Sequence, residues 1–155
     1  MKLLDRRFLI GSPSEEQLQS NLAANPSNFE QILDDHLSHQ SYQELAKRVP
    51  EGKERLEFEW LINPFLYAQG KIPDEQIFQF AEYLNKSVVW RYSAPHFLDS
   101  SAWTLVISPL LDRCPKDRRQ ELAEILNADG LLRTSFQKNG YTSEITAREW
   151  GIVIS

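Results

Sequence analysis

Apolar residues recur at helical spacing along most of this chain, and one arrangement of them occurs twice. Leu61-Ile62-Asn63-Pro64-Phe65-Leu66 returns as Val106-Ile107-Ser108-Pro109-Leu110-Leu111, with two apolar residues, one small polar, proline and two apolar. Each copy leads into a second matching stretch, PDEQIFQFAEYLN from Pro73 and PKDRRQELAEILN from Pro115. Proline, Ala-Glu, leucine and asparagine coincide there, while Phe80 matches Leu122 and Tyr83 matches Ile125 in kind. The connection from the first proline to the second stretch shortens from nine residues to six. A period of 42–45 residues is that of a two-helix repeat unit.

The same periodicity predicts the other elements. A helix starts at Ser12-Pro13-Ser14-Glu15-Glu16, with a hydroxyl cap, an early proline and acids in the first turn, and ends near Asn25-Pro26. A second starts at Ser27 with Phe29, Ile32, Leu33 and Leu37 on one face. A third, Ser41 to Arg48, carries Tyr42, Leu45, Ala46 and Val49, before Pro50-Glu51-Gly52 breaks the chain. From Lys53 to Gln69 apolar residues cover most of a helix circumference, which predicts a helix buried on several sides and kinked at Pro64. Gly70 ends it, and Pro73 to Asn85 has the one-sided stripe Ile77, Phe80, Ala81, Leu84 of a helix lying over it. Residues 86–96 read as an extended connector or the start of the next helix, Val88 to Tyr92 having strand propensity. Phe97 to Arg113, kinked at Pro109, and Pro115 to Asn127 form the second pair, which Asp129-Gly130 stops. A short helix at Leu131 to Gln137 and a last one at Thr142 to Ile154 follow.

Paired helices of this length with a proline inside the first resemble HEAT-like α-helical repeats, over residues 53–128. The resemblance implies an all-α fold, a short α-solenoid of HEAT-like helical hairpins with N- and C-terminal capping helices. The expected organisation is a single domain over 1–155: N-terminal helices over 1–52, repeat 1 over 53–86, repeat 2 over 97–128 and a C-terminal cap over 129–155. Fold of this kind implies nothing about function.

Composition narrows the function classes. A length of 155 residues fits one domain, and a net charge of −5 argues against non-specific nucleic-acid binding. Cys114 is the single cysteine, so no internal disulfide forms and a reducing compartment is expected. Asp5, Arg6 and Arg7 interrupt the apolar start, and no later stretch approaches a membrane span, which predicts a cytoplasmic protein.

Catalytic footholds are thin. His36 and His39 are three apart with Asp35 beside them, a spacing that zinc sites use, but a polar helical face near a C-terminus explains them better. Cys114 with His96 reads as a buried thiol, and Ser100-Ser101 lacks the glycines of a nucleophile elbow and reads as a cap. No glycine-rich phosphate loop and no CxxC occurs. The expectation is no enzyme, no metal and no cofactor.

Charge placement is the stronger signal. Between Phe8 and Ala46 the charged residues are Glu15, Glu16, Glu30, Asp34, Asp35 and Glu44, with no lysine or arginine. Glu51, Glu54, Glu57 and Glu59 follow, mixed with Lys53 and Arg55, whereas residues 111–155 balance seven acids with seven bases. A solvated face needs no function, but such a surface also complements a basic protein. Trp60, Trp103 and Trp150 fall in apolar runs and are expected in the core; Trp90-Arg91-Tyr92, between the repeats, reads first as core or inter-repeat packing and second as an interface, because it combines residue types that anchor interfaces.

In size, acidity and helical character the chain resembles the small α-helical immunity proteins of bacterial toxin systems, including contact-dependent growth inhibition. Many of those mask a cationic nuclease. The resemblance implies an inhibitor, monomeric when free, that neutralises a basic toxin domain without binding nucleic acid or membrane. Glu30, Asp34, Asp35, Glu44, Glu51, Glu54, Trp90, Arg91 and Tyr92 are the expected contact residues. The alternative is a HEAT-like adaptor gripping a subunit or peptide through Trp90, Arg91 and Tyr92. A metal-dependent enzyme using Asp35, His36 and His39 is the third reading.

Overall fold

The computed structural model describes residues 15–38, 40–48, 60–96, 102–133 and 151–152. The described residues are helical, with no strand among them. In chain order the helices are α1 (Glu15–Ala24), α2 (Phe29–Leu37), α3 (Gln40–Arg48), α4 (Asn63–Gln69) and α5 (Ile77–Lys86). Then come α6 (Val88–Ser93), a π-helical segment Ala102–Ile107 leading into α7 (Ser108–Arg113), and α8 (Arg119–Leu126).

α2, α5 and α8 begin in one way. Each is preceded by a single 3-10 turn, Pro26–Asn28, Asp74–Gln76 and Lys116–Arg118. The closing bonds correspond: Asn28 N to Asn25 O at 3.1 Å, Gln76 N to Pro73 O at 2.9 Å and Arg118 N to Pro115 O at 2.9 Å. Proline belongs at such a start because its ring fixes φ and its missing N–H would be unpaired in a first turn anyway. Pro73 and Pro115 hold similar extended geometry, φ −68 with ψ 155 and φ −53 with ψ 137, so the sequence match between them is a structural one.

The contacts sort these helices into rows. α1 packs on α4, and α4 on the Ala102–Ile107 segment. Alongside, α5 packs on α8, and Phe29 of α2 meets Phe80 and Tyr83 of α5 edge-on at centroid distances of 5.5 and 6.0 Å. α3 and α6, which follow α2 and α5 in the chain, pack on each other. The stripe expected on α5 is confirmed, since Ile77, Phe80, Ala81 and Leu84 are all buried. Leu18 and Leu22 of α1, Phe29, Leu33 and Leu37 of α2, and Tyr42, Leu45 and Ala46 of α3 join them in one core.

Some expectations are corrected. Pro64 and Pro109 are each the second residue of an α-helix, α4 and α7, and each of those helices continues from a helical segment of another pitch, residues 60–62 and Ala102–Ile107. Gly70 does cap α4, with an ordinary helical φ of −72 instead of a left-handed one. Val88 to Tyr92 lie in a helix, because Ser87 Oγ accepts the Trp90 N–H at 3.3 Å as an N-cap and overrides their strand propensity. Of the helix expected from Thr142 to Ile154 only residues 151–152 are described, where Gly151 is a turn residue with φ 67 and Ile152 is buried. Residues 53–59, 97–101 and 134–150 lie outside the described residues, as do Val49 and Trp150.

The second copy of the repeat shows how a proline after a wide turn is accommodated. Pro109 has no N–H to offer the carbonyl of Leu105, four residues back. Gln69, at the end of α4, donates to that carbonyl from Nε2 at 3.2 Å. Arg113 then holds the glutamine: its Nη1 donates to Gln69 O at 2.7 Å and to Gln69 Oε1 at 3.4 Å. Its Nη2 donates to Ile72 O at 2.5 Å and its Nε to Asp74 Oδ1 at 2.8 Å. One polar network therefore satisfies the carbonyls ending α4 and the one left open by Pro109, and it ties the two copies of the repeat together.

Candidate interaction surface

The acidic residues of α2 divide by the helix face they occupy. Glu30 and Asp34, one turn apart, both point towards α5, where Gln79 Nε2 donates to Glu30 Oε2 at 2.6 Å and the Tyr83 hydroxyl to Asp34 Oδ1 at 2.8 Å. Asp35 turns outward, and its carboxylate accepts from Gln31 Nε2 at 2.8 Å. Every one of these donors is neutral. Burial, and then the Asp34 carboxylate it donates to, push the Tyr83 phenol well above its usual range, so it stays a donor.

This placement is unfavourable for α2 itself. Glu30 and Asp34 are like charges at i and i+4, which costs a few tenths of a kcal/mol. Asp34 and Asp35 stand in the last turn of Phe29–Leu37, at the negative end of the helix dipole. The one basic residue type in that turn is His36, and it gives no compensation. Its side chain is buried, its Nε2 lies 2.8 Å from the Tyr42 hydroxyl, and burial lowers its pKa to about 4 against a weaker upward pull from Glu15.

His36 also corrects the metal reading and the bland alternative to it. It lies in the core, not on a polar face, while Asp35 is exposed, so the two do not share a site. His39 lies outside the described residues. Cys114 is buried, and burial pushes its thiol up, away from the thiolate a nucleophile needs. Ser100 and Ser101 lie outside the described residues.

The remaining expected contact residues are scattered. Glu44 is exposed on α3, and Glu51 and Glu54 lie outside the described residues. Trp90 is 1% exposed and packs edge-on against Phe65 at 5.2 Å, so it belongs to the core and is withdrawn from the surface. Arg91 is exposed but occupied, with Nη1 donating to Asn85 O and Nη2 to Asp129 Oδ2, both at 3.1 Å. Tyr92 is 44% exposed, one turn after Val88, which is 37% exposed.

Val88 escaped the sequence reading because an extended connector and the start of a helix, both open for residues 86–96, expose different side chains. As a helix, α6 buries Val89 and Trp90 and leaves Val88, Arg91 and Tyr92 outside. The start of α6 abuts the end of α2. Between them opens a cleft of about 190 Å³, walled by Asp34, Leu37, Tyr83, Lys86, Val88 and Val89. The Asp34 carboxylate, the Lys86 side chain and the exposed apolar surface of Val88 thus meet in one place. No protein-family model matches this chain, and neither a curated protein nor a solved structure matches it.

Proposed function

We propose that this protein is a binding inhibitor, an immunity protein that neutralises a basic toxin domain through the acidic surface of α2. The observation that supports it is the set Glu30, Asp34 and Asp35, which take hydrogen bonds only from neutral donors and stand where the helix dipole opposes two of them. Stability alone would favour neutral or basic residues in that last turn. A basic partner supplies the missing countercharge on binding, which raises the association rate and fixes orientation more than it adds affinity. Val88, which lines a cleft with Asp34, and Tyr92 one turn further on provide apolar contact that charge alone does not.

A short HEAT-like stack would suit this role, and the packing of α1 on α2 and of α7 on α8 supports it. Stacked helices of this kind work by presenting a continuous surface. A location in the bacterial cytoplasm and a monomeric free state belong to the same proposal.

The test is capture from a lysate of the source cell on the immobilised full chain, at low and at high salt. The expected result is one stoichiometric basic protein whose toxicity or nuclease activity the chain suppresses. Asp34→Lys with Asp35→Lys should lose it and flatten the salt dependence, because exposed charge pairs are screened over about 8–10 Å at physiological salt. Unchanged affinity in the reversal variant would remove this surface. A neutral multi-subunit complex, retained at high salt through Val88 and Tyr92, would favour the adaptor reading, which the exposure of those two side chains supports.

A further inference from the structure

The cleft between α2 and α6 has a defined chemistry. At one side stands the Asp34 carboxylate, oriented by the Tyr83 hydroxyl on Oδ1 at 2.8 Å, an arrangement that leaves Oδ2 open. The backbone there is settled, Ser38 N donating to Asp34 O at 2.8 Å. The other walls mix the apolar Leu37, Val88, Val89 and Tyr83 ring with the polar Ser38, Gln43 and Lys86. Ser87 also lines the cleft, but its hydroxyl is taken as the N-cap of α6. About 190 Å³ is several times the roughly 30 Å³ that one water occupies in the liquid. A long aliphatic stem ending in a cation fills such a space, its stem on the apolar walls and its tip on the carboxylate.

We infer that this cleft receives a lysine or arginine side chain of the basic partner, with Asp34 as its counter-ion. The inference rests on the proposed inhibitor function and names where that surface grips. Lys86, at the same cleft, forms no ion pair among the described residues. Its ammonium opposes an incoming cation and would attract an incoming carboxylate. The two charges flanking the cleft therefore give opposite signs for opposite occupants, and that decides the experiment.

The full chain, 15N-labelled, is titrated with Nα-acetyl-arginine methylamide and Nα-acetyl-lysine methylamide, with Nα-acetyl-glutamate methylamide as the anionic control. The cationic probes should shift the amide signals of Leu37, Ser38, Ser87 and Val88, with dissociation constants on the order of millimolar, as expected for so small a ligand. Asp34→Asn keeps an acceptor for Tyr83 and should weaken them by about tenfold, a loss of about 1.4 kcal/mol. Lys86→Ala should tighten them.

Equal response in Asp34→Asn, or binding of the glutamate probe that Lys86→Ala abolishes, overturns the inference. Binding that appears only after Arg6→Gln and Arg7→Gln assigns the cleft to this chain's own N-terminal segment and overturns it too. Failure here with a salt-sensitive basic partner still captured removes the cleft alone. Probe binding with no basic partner captured removes the inhibitor reading and leaves the cation site.

Discussion

His36 shows how far one residue's environment departs from its sequence context. Polar neighbours, Asp34 and Asp35 before it and Ser38 after it, place it in a hydrophilic run, yet its ring is 1% exposed and 4.9 Å from that of Tyr42. Its Nδ1 has no hydrogen-bond partner, so the ring carries one unsatisfied polar atom even when neutral. Protonation would add a buried charge. The folded-state pKa of about 4 lies below the ordinary 6.5, so between those values the unfolded chain binds more protons. The stability that a neutral His36 allows is therefore complete above about pH 6.5 and is lost as pH falls towards 4. Urea midpoints measured across that range should fall with pH more steeply in the wild type than in His36→Gln, whose side chain does not titrate. Parallel curves would show that His36 does not govern the acid side.

At the scale of elements, the join between the two repeat copies depends on a side chain replacing a backbone donor. Gln69→Leu removes the donor to the Leu105 carbonyl and should cost about 0.5–1.5 kcal/mol, the net contribution of one hydrogen bond. Pro109→Ala restores an N–H that can serve the same carbonyl. In the double variant the loss from Gln69→Leu should shrink by about 1 kcal/mol, a coupling that a double-mutant cycle in chemical denaturation reads directly. Additive losses would mean that the glutamine only fills space. The sequence displays Pro109 clearly, as one of the matched prolines. It does not display its solution, because Gln69 lies 36 residues from Leu105 and falls outside the repeat's matched positions.

At the scale of the molecule, the net charge of −5 lies mainly towards the N-terminal end, where Glu30, Asp34 and Asp35 accept from neutral donors. Self-repulsion of that kind weakens the free protein and is relieved by screening. Added sodium chloride should therefore raise the melting temperature of the free chain while loosening its complex, opposite signs from one cause. Asp34→Asn with Asp35→Asn should raise stability by a few tenths of a kcal/mol per site and weaken partner binding. If salt leaves the melting temperature unchanged, the acids of α2 carry no cost, and the argument from their placement falls. Among the described residues no helix is long and apolar enough to cross a membrane.

The sequence by itself determined the helical class, the two matched copies and the buried stripe of α5, because local periodicity and proline chemistry are written in neighbouring residues. It also marked Glu30, Asp34 and Asp35, since a run without cations is visible in composition. Only the tertiary structure decided which side chains remain outside. Trp90 was drawn into the core by Phe65, a residue 25 positions earlier in the chain, while Val88 was left exposed by the turn of α6. The cleft beside Asp34 exists only where α2, α3, α5 and α6 meet, and no local pattern records such a meeting. Burial and cavities are properties of contacts distant in sequence, which is why periodicity reaches the elements and stops short of the surface they build.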